Sequence, residues 1–209
     1  MQAALLAAER LRIERGGELL VEDLSLSAAA GAVVHIRGRN GSGKTTLLRA
    51  LAGLVTPDSG SVSWCGTPVE SSASFDGELN FIGHQTALNG DLDAGENLRF
   101  LCALRDARPA CSRDEALARF DAGWFADRPV RQLSAGQRQR VSLARLVLFE
   151  ARVWMLDEPF TALDRDARGR LEGLIDAHAA AGGLTLIATH QGFALDSALE
   201  VVDLDGATR

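Results

Sequence analysis

Few cysteines occur in this sequence, and their number and spacing exclude a common class of site. Three are present, an odd count, and no two of them have the spacing of metal ligands. Such thiols fit a reducing compartment, in which they act as small apolar residues. We therefore expect neither a zinc site nor a redox function.

Long apolar stretches are also missing. A membrane-spanning helix needs roughly 18–20 apolar residues, whereas the best candidate, 144–156, is interrupted by Arg145, Glu150 and Arg152. The first residues, MQAALLAAERLRIERGG, lack the cationic start and the apolar run of a signal peptide. We expect a soluble, cytoplasmic chain that reaches a membrane only through a partner.

An excess of positive charge is absent too. Acidic residues outnumber basic residues by 28 to 22, which gives a formal net charge of −6. Nucleic-acid binders need cations that replace the counterions of phosphates, so we expect no nucleic-acid partner. With 209 residues, 46% of them apolar, the chain is long enough for one sizeable domain or for one domain with a small subdomain.

The order of the predicted elements indicates an α/β protein. Strands and turns dominate the first part, and apolar strands alternate with helices from residue 153 onward. This alternation predicts a mixed sheet with a parallel core flanked by helices, preceded by an N-terminal antiparallel β part. Helices are expected over 94–105, 112–122 and 133 to about 149. We therefore predict a single domain, 1–209, with a helical subdomain inserted at about 90–150.

A glycine-rich loop carries the strongest signal of function. GRNGSGKT at 38–45 matches the pattern G-x-x-x-x-G-K-[ST] and lies between a predicted strand and a predicted helix. Its glycines let backbone N–H groups surround phosphate oxygens, and the helix N-terminus adds a positive dipole. We expect Lys44 to contact the β- and γ-phosphates and Thr45 to bind Mg²⁺. The loop predicts a P-loop NTPase, with nucleotide-binding residues Gly38, Arg39, Asn40, Gly41, Ser42, Gly43, Lys44, Thr45 and Thr46.

Polar residues follow three further predicted strands. VWMLDE at 153–158 ends in two carboxylates: Asp157 is expected in the Mg²⁺ shell and Glu158 as the general base for water. His190, after LTLIAT, is expected to contact the γ-phosphate and to position the water or Glu158. Gln85, after LNFIG, is predicted to contact Mg²⁺ and the water through its neutral amide. A solvated acidic turn and a structural histidine are the alternatives.

A second helix start, LSAGQRQR at 133–140, has the composition of an anion site. Ser134 and Gln137 form a capping box, which on its own favours a well-capped helix. The hydroxyl and the exposed N–H groups also suit a phosphate. One ATP cannot occupy both this site and Lys44 if the helical subdomain holds them far apart. We therefore expect two copies packed head-to-tail, each supplying to the other's γ-phosphate the residues Leu133, Ser134, Ala135, Gly136 and Gln137.

Together these motifs resemble one family. The phosphate loop, Gln85, LSAGQ, VWMLDEP, ALD at 162–164 and the ATH histidine stand in the order and spacing of ABC-transporter nucleotide-binding subunits. The resemblance covers nearly the whole chain. It implies ATP hydrolysis, a head-to-tail dimer with two ATP molecules, 133–137 as the signature motif and Asp164 as the D-loop aspartate. GHQ at 83–85, WMLDEPFTALD at 154–164 and ATHQ at 188–191 are similar to the ATP-binding subunits of cytochrome c maturation systems.

The narrower resemblance implies particular partners. It implies a peripheral ATPase at the cytoplasmic face of the bacterial inner membrane, docked on the haem-handling integral membrane subunits CcmB, CcmC and CcmD. Through them the ATPase would be linked to a periplasmic haem chaperone. Mg²⁺ with ATP is the expected cofactor, and no haem is expected on this chain because C-x-x-C-H is absent. Export of haem and release of the haem-loaded chaperone are both left open by the sequence.

The sequence departs from the family pattern at two places. Ala135 stands where the signature motif usually has glycine, and its methyl group is expected to alter dimer closure slightly. The family's aromatic platform for adenine has no counterpart, since the chain has no tyrosine and 13–20 holds no aromatic residue. Arg15 is the candidate to stack on the base instead, and strict selectivity for ATP over GTP is not expected.

Three other functions are weighed against this interpretation. One is the ATPase subunit of another small-substrate ABC exporter. A soluble ABC ATPase of DNA repair or translation is disfavoured by the negative net charge and by the lack of a coiled-coil, a zinc element or a second cassette. A regulator that binds nucleotide without turnover is disfavoured by the presence of both Glu158 and His190.

Overall fold

The computed structural model describes residues 4–105 and 109–205. In these ranges the strands are β1 (Ala4–Arg15), β2 (Glu18–Ala29), β3 (Val33–Arg37), β4 (Ser59–Trp64), β5 (Thr67–Pro68), β6 (Leu79–Ile82), β7 (Val153–Asp157), β8 (Leu184–Ala188) and β9 (Leu199–Asp203). The α-helices are α1 (Lys44–Leu51), α2 (Ala73–Glu78), α3 (Ala94–Arg105), α4 (Arg113–Arg119), α5 (Ala135–Leu143), α6 (Arg145–Leu148) and α7 (Arg165–Ala180). Short 3-10 turns occupy Val69–Ser71, Gly123–Phe125 and Val130–Gln132.

The strands form two sheets with different strand directions. An antiparallel sheet has the order β2-β1-β4-β5, and a parallel sheet has the order β6-β7-β8-β3-β9. Strands β3, β6, β7 and β8 therefore end at the same edge of the parallel sheet. Ligands of open α/β proteins bind at this edge, so the fold brings the segments after these strands together.

Two hydrophobic cores lie on the two faces of the parallel sheet. The first fills the space between the antiparallel sheet, α1 and one face, and the second lies under α3 to α7 on the other face. Side chains along β7 alternate between them: Val153 and Met155 belong to the first core, and Trp154 and Leu156 to the second. This is the period of two expected for a strand that is buried on both sides.

The α/β architecture predicted from the sequence is confirmed, with some differences in its elements. The bounds of α3 agree with the expected 94–105, whereas α4 ends at Arg119, three residues earlier than expected. The single helix expected from 133 to about 149 is wrong, because α5 ends at Leu143 and α6 begins at Arg145. At this break the Val147 amide bonds to the Ala144 carbonyl, three residues back, and the side-chain amide of Asn80 donates to the Arg145 carbonyl. The Leu148 amide still bonds to the Ala144 carbonyl four residues back, so the helical pattern is interrupted only locally and resumes in α6.

Within 4–105 and 109–205, no helix combines the length and the apolar character that crossing a bilayer requires.

Candidate active site

The glycine-rich loop lies where β3 ends and α1 begins. Gly41 and Gly43 have left-handed backbones, with φ of 86° and 91°. A side chain at Gly43 would also come within 2.9 Å of the Cβ atom of Leu20 on β2. The loop therefore needs glycine at Gly43 for its backbone and for its packing.

Lys44 is folded into this loop. It is the only lysine of the sequence and is largely buried, with 7% of its surface exposed. Its Nζ atom donates hydrogen bonds to the carbonyl oxygens of Gly38, at 2.8 Å, and Arg39, at 2.9 Å. A buried ammonium group is stable only with such acceptors, and phosphate oxygens of a nucleotide in the loop would be stronger ones.

Thr45 and Asp157 connect the start of α1 to the end of β7. The Thr45 hydroxyl lies 3.0 and 2.9 Å from the two carboxylate oxygens of Asp157. Burial raises the pKa of Asp157 above the ordinary aspartate value, and the hydrogen bond from Thr45 opposes this increase. The pair thus presents two oxygen ligands and an incompletely compensated buried carboxylate, which suits a hard divalent cation.

A Mg²⁺ ion at this pair would need further ligands. Among the described residues, no three His, Cys, Asp or Glu side chains are grouped so that they could hold a metal. A magnesium ion usually keeps water and substrate phosphate oxygens as ligands when it has one or two protein ligands. Thr45 and Asp157 therefore fit a Mg²⁺–nucleotide complex better than a resident metal ion.

Glu158 faces a different set of partners from Asp157. Its backbone is left-handed, with φ of 50°, and its amide donates to the Ala188 carbonyl at 2.7 Å. One carboxylate oxygen accepts a hydrogen bond from the Thr189 hydroxyl, and the other lies 2.8 Å from Nδ1 of His190. Since a carboxylate only accepts hydrogen bonds, Nδ1 is the donor. This arrangement fixes the position of Glu158 and leaves lone pairs for a water molecule.

A cavity of about 300 Å³ lies between the loop and Glu158. Its lining includes Lys44, Thr45 and Glu158, together with Leu20 and His84. Gln85, expected at the metal and the water, is exposed and is not among the residues that line this cavity. The neighbouring His84 was missed as a site residue, although it directly precedes Gln85 in the GHQ segment.

Arg15, predicted to stack on the nucleotide base, contacts other groups in this structure. The guanidinium group donates to the carbonyl oxygens of Glu14, at 2.7 Å, and Thr56, at 3.3 Å, and forms an ion pair with Asp58. Arg15 is not among the residues that line the phosphate cavity.

The second helix start has the predicted capping box. Ser134 accepts a hydrogen bond from the Gln137 amide at 3.2 Å, and the Gln137 side chain accepts one from the Ser134 amide at 2.9 Å. Leu133 is buried, whereas Ser134 and Ala135 are exposed at the start of α5. The amides of the first helical turn are therefore accessible to an anion.

Asp164 links the start of α7 to α5. Its carboxylate caps α7 by accepting from the Ala167 amide at 2.9 Å, and it forms an ion pair with Arg140. The hydrogen bond from Ala167 and, to a smaller extent, the charge of Arg140 lower the pKa of Asp164. Arg140 also pairs with Asp121. Arg140 connects these segments, a role that was not predicted although the residue lies within LSAGQRQR.

These groups line a second cavity of about 350 Å³. Its lining contains Asp121, Trp124, Phe125, Ser134, Gly136, Gln137, Arg140, Ala162 and Asp164. In the described part of the chain this lining has no residue in common with that of the phosphate cavity. A single chain thus presents the two predicted parts of a nucleotide site on separate surfaces.

The fold and the two half-sites define the class of protein. Residues 21–161 match the ABC transporter family, and the chain belongs to it. The predicted family and fold are thereby confirmed. In particular, the cytochrome c biogenesis ATP-binding export protein CcmA of Salmonella typhi is 46% identical to this chain over 188 residues, which cover 90% of each sequence.

Solved structures agree with this assignment. An ABC transporter ATP-binding protein from Pyrococcus furiosus superposes with a TM-score of 0.81 at 21% identity, covering 98% of this chain and 99% of its own, and shows the shared fold. A dimeric structure of a bacterial ABC transporter cassette has a TM-score of 0.76 at 25% identity, covering 89% of this chain and 88% of that one.

Proposed function

We propose that this chain is the ATP-hydrolysing subunit of a membrane complex that handles haem in cytochrome c maturation. The observation that carries the ATPase part is the convergence of Lys44, Thr45, Asp157 and Glu158 on the edge of one parallel sheet. The name of the Salmonella typhi relative supports the role in cytochrome c biogenesis. The alternative is an ATPase of another small-substrate ABC exporter.

The phosphate loop binds ATP in this proposal. The residues 38–46 surround the phosphates, and the Lys44 ammonium exchanges its two carbonyl partners for β- and γ-phosphate oxygens. Thr45 and Asp157 would hold Mg²⁺, with Gln85 as an expected additional ligand that must move toward the cavity. When bound, Mg²⁺ neutralises phosphate charge.

Glu158 is the proposed general base. A water molecule attacks the γ-phosphorus, the bond to the β–γ bridging oxygen breaks, and Glu158 takes a proton from the water. The Nδ1–H group of His190 orients the carboxylate through their 2.8 Å hydrogen bond, and Thr189 holds the other oxygen. Only 12% of the Glu158 side chain is exposed, which limits the access of bulk water to its carboxylate.

The second half-site acts in a partner copy. Leu133, Ser134, Ala135, Gly136 and Gln137 are proposed to contact the γ-phosphate bound at the other copy's Lys44, and Asp164 is proposed to connect the two sites. The separation of the two cavities supports this arrangement, as does the dimeric state of a solved cassette with the same fold. We treat 90–150 as a helical subdomain within one domain.

Substitution of Glu158 by glutamine tests the catalytic part. The amide cannot accept the proton, so we expect turnover to fall at least about 100-fold, while MgATP still binds and holds two chains together. Light scattering with and without MgATP measures the dimer, and phosphate release measures turnover. Glu150→Gln, at an exposed loop position, is the control. Hydrolysis at the parent rate by Glu158→Gln would show that another group is the base.

Co-purification tests the membrane role. We propose that the chain is peripheral at the cytoplasmic face of the inner membrane, bound to subunits resembling CcmB, CcmC and CcmD, with a periplasmic haem chaperone as an indirect partner. Detergent-solubilised membranes should yield these subunits with the tagged chain, together with haem absorbance. Recovery of an unrelated permease without haem would favour the alternative exporter.

A further inference from the structure

The phosphate cavity offers no evident platform for a nucleotide base. Among the described residues that line it there is neither phenylalanine nor tryptophan, and the chain has no tyrosine. Arg15 is engaged with Thr56 and Asp58. The described lining of this cavity therefore gives the base of a nucleotide held at Lys44 no phenylalanine or tryptophan to stack on.

Trp124 is a largely exposed indole. It is 63% exposed, whereas the other two tryptophans, Trp64 and Trp154, are 2% and 5% exposed. The ring is nonetheless held in place. The buried ring of Phe125 meets it edge-on, with centroids 5.0 Å apart, and the Arg128 guanidinium lies 5.6 Å from its centroid. A large aromatic side chain that is fixed and open to solvent is typical of a binding surface.

The location of Trp124 indicates what it binds. It lines the same cavity as Ser134, Gly136 and Gln137, the residues that our proposed function places against the γ-phosphate held by the partner copy. In the proposed dimer, a nucleotide whose terminal phosphate reaches Ser134 would place its ribose and base along this cavity. We infer that Trp124 stacks in trans on the base of the nucleotide bound at the partner's phosphate loop.

This inference rests on the proposed head-to-tail dimer and adds a determinant of base affinity to it. Every base has a π-face, so stacking tolerates different bases, and the larger purine rings gain more contact than pyrimidines. The chain should therefore prefer purine triphosphates to pyrimidine triphosphates while discriminating weakly between ATP and GTP. A membrane subunit that covers the indole is the competing occupant.

Steady-state kinetics provide the first test. Removing one base–aromatic stack costs roughly a factor of ten in affinity, so Trp124→Ala should raise the KM for ATP about tenfold, with a smaller effect on kcat. Trp124→Phe should retain most of the parent KM, and the preference for ATP over CTP should shrink in Trp124→Ala. Phe100→Ala removes another exposed aromatic side chain, 59% exposed on α3, and should leave the KM unchanged.

Tryptophan fluorescence provides a second test. Only Trp124 of the three tryptophans is open to acrylamide, so quenching reports on this position. In the Glu158→Gln background, MgATP should protect the emission from acrylamide and quench it directly, and MgCTP should quench it less. Equal quenching by the two nucleotides would indicate burial without stacking and overturn the inference.

The variants separate this inference from the proposed function. If Ser134→Arg abolishes turnover while Trp124→Ala keeps the parent KM and nucleotide preference, the dimer stands and the base contact is wrong. If Ser134→Arg is fully active, the shared site itself fails. Loss of co-purifying membrane subunits from Trp124→Ala, with kinetics unchanged, would assign the indole to docking and overturn the base contact.

Discussion

Gly136 packs directly against the carbonyl oxygen of Ala162. A methyl group added to Gly136 would come within 2.5 Å of this oxygen, a distance that backbone atoms do not tolerate. Ala162 itself has a left-handed backbone, with φ of 62°, and stands two residues before the Asp164 cap of α7. The turn that carries Asp164 is therefore held against the helix that begins at Ser134.

We expect Gly136→Ala to displace this turn. Overpacking of this kind costs about 1–3 kcal/mol, and the displacement of Asp164 should reduce cooperative ATP turnover more than nucleotide binding. The neighbouring reverse exchange, Ala135→Gly, lies at an exposed position and is the control for Gly136→Ala. It should keep or slightly raise the rate of ATP hydrolysis. Thermal unfolding and phosphate release compare the two. Equal stability of Gly136→Ala and the parent would contradict the packing argument.

Lys44 can be followed by chemistry because the sequence contains no other lysine. An amine-reactive reagent should modify Lys44 slowly, since the ammonium is buried and bonded to two carbonyl oxygens, and MgATP should protect it. Peptide mass spectrometry measures both effects, with the N-terminal amine as the internal control.

The affinity of the loop for MgATP tests the role of the Lys44 charge. Lys44→Ala should weaken MgATP binding about 10- to 100-fold, the value of one hydrogen bond to a charged group. Isothermal titration measures this loss. If Lys44→Ala binds MgATP as tightly as the parent, the assignment of 38–46 as the phosphate-binding loop is wrong.

Two serine capping boxes allow helix stability to be tested separately from function. Ser134 on α5 and Ser112 on α4 make the same reciprocal hydrogen bonds. Replacement of either by alanine should cost about 1 kcal/mol of stability, whereas only Ser134→Ala should lower the rate of ATP hydrolysis. If both variants lose activity in proportion to stability, Ser134 has a structural role alone.

Asp157 should make the nucleotide-free chain sensitive to pH. Its pKa is raised by burial, so the native state binds this proton more tightly than the unfolded state does. The free energy of unfolding therefore falls as the pH rises from the ordinary aspartate pKa through the raised one, and the penalty is complete above it.

Asp157→Asn removes this penalty and keeps an oxygen that can accept from Thr45. We expect the variant to melt above the parent at neutral pH without Mg²⁺, with the difference disappearing toward about pH 4, near the unfolded aspartate pKa. Asp91→Asn, on an exposed carboxylate, controls for net charge. Melting curves that differ by the same amount at every pH would contradict the burial effect.

The sequence predicted the elements whose patterns are local. The fixed spacing of Gly38–Thr45 and the strand before Asp157 located the phosphate loop and the carboxylates, and the resemblance identified the family that the comparisons confirm. The expected helix at 94–105 has the bounds that the sequence predicted.

Other features depend on contacts that a local pattern does not contain. The break at Ala144 is accompanied by bonds from Asn80, which lies on another element. Two contacts join segments that are over 20 residues apart in the sequence. They are the ion pair of Arg140 with Asp164 and the packing of Gly136 against Ala162. His84 lies in the GHQ segment but had no predicted role, and Trp124 belongs to no motif; each lines one of the two cavities only through the fold.

Strand β7 is a common wall between two hydrophobic compartments. Val153 and Met155 are anchored in one of them, and Trp154 and Leu156 in the other. A change in the packing of either core would therefore reach β7, which ends at Asp157 and adjoins Glu158. These five residues connect both cores to the two carboxylates of the candidate site.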